Sequence, residues 1–150
     1  MPEKRTLEAA RKDKAEGKSA STQAGEFVRE EMDHIREGKH GAKNTKQAIA
    51  IGLNKARAAG VGLKAPKKGK TSAKTRKSAQ SALRRGRSKK KASAKRSAGV
   101  ERALKRMPHK AASKKALSRQ AKSAAKKRSA ASRSASAKKA ARTRKRERAA

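Results

Sequence analysis

Large apolar residues are the scarcest component of this chain, and their scarcity limits what it can fold into. Leu, Ile, Val and Phe together supply 13 of the 150 residues, and Phe27 is the single aromatic residue. Chains in which these four types make up less than roughly 20% tend towards disorder when their net charge is high. One large hydrophobic core is therefore not expected, and most of the chain is predicted to remain solvated.

Charge is distributed very unevenly along the sequence. The formal net charge is +36, yet nine of the eleven acidic residues lie between Glu3 and Glu37. From Gly41 onward, 38 Lys and Arg residues face only Glu101 and Glu147. The pattern predicts three parts: a flexible N-terminal segment at 1–20, a helical hairpin at 21–64, and a basic low-complexity tail of Lys, Arg, Ala and Ser at 65–150.

Two helices are predicted in the segment 21–64. The first runs from about Thr22 to Glu37, with Ser21 or Thr22 as its N-cap and Gly38 as its C-terminal stop. Glu31 falls inside its apolar stripe and must be exposed or paired. The predicted hairpin core consists of the larger apolar residues on the facing stripes: Phe27, Val28, Met32, Ile35, Ile49 and Leu53.

The second helix is predicted from Thr45 to Ala59. Asn44 and Gln47 form a pattern typical of a capping box, and Gly60 supplies a C-terminal stop. The loop between the two helices, Gly38–Lys43, allows them to lie antiparallel. Because so small a core rarely stands alone, self-association through the hairpin is a further expectation.

The tail at 65–150 carries 33 Lys and Arg residues against two Glu, separated mainly by Ala and Ser. Alanine favours helix, but crowded like charges oppose it in water. Transient helices are predicted at Ser72–Arg85 (ending at Gly86), Val100–Met107 and Ser113–Arg128. The expected fold class is mainly α and largely disordered, with a short αα-hairpin followed by a long basic tail.

Dense clusters of Lys and Arg are typical of proteins that neutralise the phosphates of nucleic acids. The sequence predicts binding of DNA without sequence preference, with RNA or ribosome association and action as a membrane-active polycation as alternatives. The expected nucleic-acid-binding residues are Lys67, Lys68, Lys70, Arg84, Arg85, Arg87, Lys89, Lys90, Lys91, Lys126, Lys127, Arg128, Lys138, Lys139, Arg142, Arg144, Lys145 and Arg146.

Other functions find little support in the residues present. Without cysteine there are no thiolate metal sites or thiol nucleophiles, and no serine has a recognisable catalytic base, so no enzyme and no cofactor are expected. His34, His40 and His109 are scattered, and no metal site is expected. No apolar run approaches the length of a membrane span, so no membrane insertion is expected and a cytoplasmic location at the nucleoid is predicted.

Two segments also resemble known families. The runs Gly25–Met32 and Lys39–Leu53, which include Lys46-Gln47-Ala48-Ile49-Ala50-Ile51, resemble a small uncharacterised bacterial domain family with a KQAIAI core. The tail resembles the Lys/Ala-rich histone-H1-like proteins of bacteria in composition. The resemblance implies a bacterial origin and carries no established activity.

Overall fold

The structure, a computed structural model, describes residues 2–88 and 93–149. The described residues form seven α-helices and one short 3₁₀ helix, and none of them forms a strand. The α-helices are α1 (Lys4–Ala15), α2 (Ala20–Arg36), α3 (Thr45–Ala58), α4 (Ala73–Ser88), α5 (Ala94–Lys105), α6 (Lys114–Lys126) and α7 (Ala130–Ala149), and the 3₁₀ helix is His109–Ala112. The chain divides into two compact units, Met1–Ser113 and Lys114–Ala150.

The local signals around α2 and α3 act as the sequence predicts. The side chain of Asn44 accepts a hydrogen bond from the Gln47 backbone N–H at 2.9 Å, and Gln47 Oε1 accepts one from the Lys43 N–H at 2.9 Å. Gly38 has a φ of 75°, a left-handed conformation that ends α2. The N-cap of α2 is Ser19, two or three residues before the predicted N-caps Ser21 and Thr22, so the predicted start of this helix is too late.

The helices α2 and α3 lie antiparallel and pack closely. Ala24 near the start of α2 and Ala56 near the end of α3 belong to one buried cluster. At the opposite ends, Arg36 and Thr45 both donate hydrogen bonds to carbonyl groups of the 3₁₀ helix. A Cβ at Gly52 would lie 2.8 Å from the Cα of Val28, so glycine is needed where the two backbones approach each other.

Alanine supplies much of the core of the first unit. Ala24, Phe27 and Ala56 are fully buried and pack with Val61 and with Ala10 of α1. Among the predicted core residues, Phe27, Met32 and Ile35 are buried, whereas Val28, Ile49 and Leu53 are half-buried. Small side chains bring helices close together, so little apolar volume is needed to fill the interface.

The prediction that most of the chain is disordered is wrong. Residues 4–15 of the supposedly flexible N-terminal segment form α1, which packs against α2. The first part of the tail forms α4, which packs against α3 with Ala79 and Ala82 at 1% and 0% exposure. The expectation counted only the large apolar residues as core, and it missed that alanine can fill a close interface between helices.

The prediction that Gly86 ends a helix is also wrong, because α4 continues to Ser88. A Cβ at Gly86 would lie 2.3 Å from the carbonyl oxygen of Arg57 at the end of α3. Glycine at this position therefore permits a close helix contact.

The segment that follows α5 is held to the loop between α2 and α3. The Gly41 N–H donates to the Leu104 carbonyl at 2.9 Å, and the Ala42 N–H donates to the Pro108 carbonyl at 3.1 Å. The hydroxyl of Thr45 donates to the Ala111 carbonyl at 2.7 Å. These bonds fix the 3₁₀ helix against the ends of the hairpin.

Candidate nucleic-acid interface

Most acidic residues of the first unit form ion pairs within that unit. Eight of the nine acidic residues in the first forty form ion pairs with nearby Lys or Arg side chains. The pairs are Glu3 with Arg5 and Lys39, Asp13 and Glu16 with Lys18, Glu26 with Arg29, Asp33 with Arg36, Glu37 with Lys39, and Glu30 and Glu31 with Lys55. Most of the negative charge in the first forty residues is therefore neutralised within the first unit.

Glu3 is the centre of one of these networks. Its Oε1 lies 2.8 Å from His34 Nε2 and 3.3 Å from Lys39 Nζ, while its Oε2 lies 2.7 Å from Arg5 Nε. The hydrogen bond with His34, aided by Lys39 and Arg5, lowers the pKa of Glu3 to about 2. This carboxylate stays ionised and ties α1 to the end of α2.

Two basic residues of α3 are directed inward and are unsuited to binding phosphate. Lys55 pairs with the buried carboxylates of Glu30 and Glu31. Arg57 is 5% exposed and donates to the Asn54 side chain and to the carbonyl groups of Leu63 and Lys64. Desolvation lowers the pKa of Arg57 from its usual value. Both side chains therefore stabilise the fold through contacts inside the first unit.

The predicted binding residues of the first unit lie mainly on its surface. Lys67, Lys68 and Lys70 are exposed in the segment between α3 and α4, and Arg84 and Arg87 are exposed on α4. Arg85 is half-buried, and its Nε has no hydrogen-bond partner among the described residues. Lys89, Lys90 and Lys91 lie outside the described residues.

The second unit consists of α6, a short turn and α7. Lys126 ends α6, Lys127 and Arg128 lie in the turn, and all three are exposed. Arg128 differs from the others because its guanidinium donates to the Ser132 carbonyl at 2.8 Å and also contacts the Ser136 hydroxyl. Its role in the turn therefore competes with contact to a phosphate.

Helix α7 carries positive charge over most of its circumference. Successive residues are rotated by about 100° along an α-helix, so its eight Lys and Arg residues cover about two thirds of the circumference and leave a face that includes Ser136 and Glu147. All eight are exposed, and no residue of α7 is buried. They are Arg133, Lys138, Lys139, Arg142, Arg144, Lys145, Arg146 and Arg148.

The single aromatic residue takes no part in this surface. Phe27 is fully buried in the core of the first unit. Proteins that read single-stranded nucleic acids stack the bases on exposed aromatic rings, and this chain has no such platform. The chemistry that the surface offers is contact with phosphate oxygens.

The structure also brings together a group of residues that the sequence interpretation had treated as unrelated. Glu31, His34 and His40 place one potential ligand atom each within 4.8 Å of one another. The spacing of Glu31 and His34, three residues apart on one helix face, was the sequence signal that could have revealed it. His109 is exposed and is not part of the group.

No protein-family model, no curated protein and no solved structure matches this chain. Across residues 2–88 and 93–149, the structure contains no helix that is long and apolar enough to cross a membrane.

Proposed function

We propose that this chain binds duplex DNA without sequence preference, as a histone-like protein of the bacterial nucleoid. The Lys and Arg residues from Lys67 to Arg148 neutralise the phosphates. The chain has no catalytic role in this proposal.

The observation that carries the proposal is the separation of paired from unpaired charge. Eight of the nine acidic residues between Glu3 and Glu37 are engaged in ion pairs inside the first unit. From residue 65 onward, two Glu residues cannot balance 33 Lys and Arg residues. The surplus is displayed on exposed surfaces, where it can attract a polyanion and release its condensed counterions.

The dimensions of α7 suit a duplex. A helix of 20 residues is about 30 Å long, which corresponds to about 9 base pairs of duplex at 3.4 Å each. Such a stretch carries about 18 phosphates, and α7 supplies eight cations. Contact along one flank of the helix would use part of them, while the remainder could face a second duplex.

The two units both carry basic clusters, which favours compaction or bridging. The exposed lysines near Lys67 and the arginines of α4 belong to the first unit, and the α6–α7 turn and α7 belong to the second. A protein with two basic units can contact two DNA segments. Self-association is not part of this proposal, because α1 and α4 already pack on the hairpin within one chain.

The test is the affinity of the full chain for duplexes of equal length over a series of salt concentrations. Two DNA duplexes of scrambled sequence should bind equally, with log affinity falling by several units per unit of log salt. A preference of more than about tenfold for one sequence, or a shallow slope, would contradict the proposal.

Two further binding partners distinguish DNA binding from the two alternative functions. If the chain binds duplex RNA of the same length more tightly than the DNA, RNA or ribosome association is favoured. Anionic vesicles that retain the protein at high salt would favour a membrane-active polycation, because apolar insertion is not screened by salt.

A further inference from the structure

Glu31, His34 and His40 lie together at the C-terminal end of α2. Glu31 and His34 are three residues apart on one face of the helix, and His40 follows in the loop after Gly38. His40 Nε2 lies 3.5 Å from Glu31 Oε1. Two ligands bound to one tetrahedral zinc ion at about 2.0 to 2.2 Å are separated by about 3.3 to 3.6 Å, so this pair is already spaced as ligands.

Both imidazole rings are oriented by a second contact. His34 Nε2 lies 2.8 Å from the Glu3 carboxylate, and His40 Nδ1 lies 3.3 Å from the carbonyl oxygen of Gly41. Histidines that bind a metal nearly always donate their other N–H to a carboxylate or a carbonyl, which fixes the tautomer and the ring. In each ring one nitrogen has such a partner, and in His40 the other nitrogen, Nε2, is the one that faces Glu31.

The Glu31 carboxylate is fully buried, and within the described part of the chain neither of its oxygens completes a hydrogen bond. Lys55 Nζ lies 2.7 Å from Oε2, so the lysine neutralises one side of the group. Oε1 faces His40 instead. A buried carboxylate oxygen without a hydrogen bond is costly, and a bound cation would satisfy it.

These residues line an open cleft of about 530 Å³, which gives an ion access to them. The cleft is also lined by four basic side chains and one further acid, so its net charge disfavours a free cation; these residues are Lys39, Lys55, Arg85, Arg96 and Glu101. The two imidazoles and the carboxylate must therefore supply the binding through direct coordination.

We propose that Glu31, His34 and His40 bind one divalent transition-metal ion of the zinc class. Two imidazoles with one carboxylate suit zinc or cobalt, whereas calcium and magnesium prefer oxygen ligands alone. The fourth position faces the cleft, where water or an anion can complete the coordination. The ion would link α2 to the loop that follows it, and this inference does not depend on DNA binding.

The primary test uses the unaltered full chain, so it does not depend on a variant that folds. The chain has three histidines, and each gives its own imidazole signal in proton NMR spectra. Paramagnetic Co²⁺, added alone up to one equivalent, should broaden the signals of His34 and His40 more strongly than that of His109, whose ring lies near Gly38. Equal broadening of all three signals, or no broadening, would overturn the proposal.

Matched variants then test the individual residues by calorimetric titration with Zn²⁺. His40→Gln removes a ligand and Glu3→Gln removes the carboxylate that orients His34. Loss of an orienting partner should weaken binding by about 10- to 100-fold, and loss of a ligand should weaken it by at least as much. His109→Gln is the control and should bind as the unaltered chain does. If His109→Gln weakens binding as much as His40→Gln, the site is elsewhere and the proposal fails.

Discussion

Lys55 Nζ in α3 lies 2.7 Å from Glu31 Oε2 in α2, and the same ammonium lies 3.5 Å from Glu30 Oε1. The side chains of the two carboxylates are 0% and 1% exposed, respectively. One lysine therefore serves two buried anions at the centre of the hairpin. Breaking a buried pair by removing one partner is strongly destabilising, because the other charge is left uncompensated.

Replacement of Lys55 should therefore destabilise the first unit. Lys55→Met is expected to lower the free energy of unfolding by about 3 to 5 kcal/mol, measured by urea denaturation. Lys46→Met is the matched control, since Lys46 lies exposed on the same helix. A loss at Lys55 no larger than that at Lys46 would show that the buried carboxylates do not need this cation.

Replacing a glycine with alanine should change the stability of the fold in opposite directions at two positions, one in α2 and one in α3. A Cβ at Gly52 would lie 2.8 Å from the Cα of Val28, so Gly52→Ala should destabilise the fold by about 1 to 3 kcal/mol. A Cβ at Gly25 meets nothing within 4 Å, so Gly25→Ala should stabilise it by about 0.4 to 1 kcal/mol. Thermal unfolding of the two variants measures the difference, and equal shifts of the same sign would contradict the close approach of the helices.

Acid should weaken the network around Lys18. Hydrogen bonding with Lys18 lowers the pKa of Glu16 below 4.5, so its stabilising contribution is present above about pH 4.5 and is lost as the pH falls further. Lys18→Gln should lower the melting temperature at neutral pH and have a smaller effect near pH 2. Lys14→Gln, at an exposed position in α1, is the control and should show no such convergence. A constant difference across the acidic range would contradict the pairing.

The salt dependence of DNA binding should report the contribution of α7. The variant replaces four of its basic residues with Gln: Lys138, Lys139, Arg142 and Arg144. Each Lys or Arg that neutralises a phosphate adds about 0.9 to the slope of log affinity against log salt. If all four side chains bind phosphate, their removal should make the slope shallower by about 3 to 4 units, measured on one duplex over a salt series.

A control variant removes the same charge from exposed positions of the first unit. It replaces Lys4, Arg11, Lys14 and Lys46 with Gln. Its slope should change by less than about 1 unit. If the two variants change the slope equally, net charge alone governs binding and α7 is not a preferred contact surface.

The helices of the hairpin could be predicted because their signals are local. Asn44 caps the backbone three residues away, and Gly38 ends α2 through its own φ. The prediction that Glu31 must be exposed or paired is confirmed, since the carboxylate is paired with Lys55. The sequence did not show which residue would be the partner, because that depends on the register of α3 against α2.

The sequence by itself determined where α2 ends and where α3 begins, and it placed the whole excess of positive charge from Gly41 onward. Both follow from interactions between near neighbours or from residue counts. The tertiary structure decided that α1 and α4 pack on the hairpin, because alanines such as Ala82 become a core only when a second helix covers them. It also decided that Glu31, His34 and His40 meet, because the fold of the loop after α2 returns His40 to the helix that carries the other two.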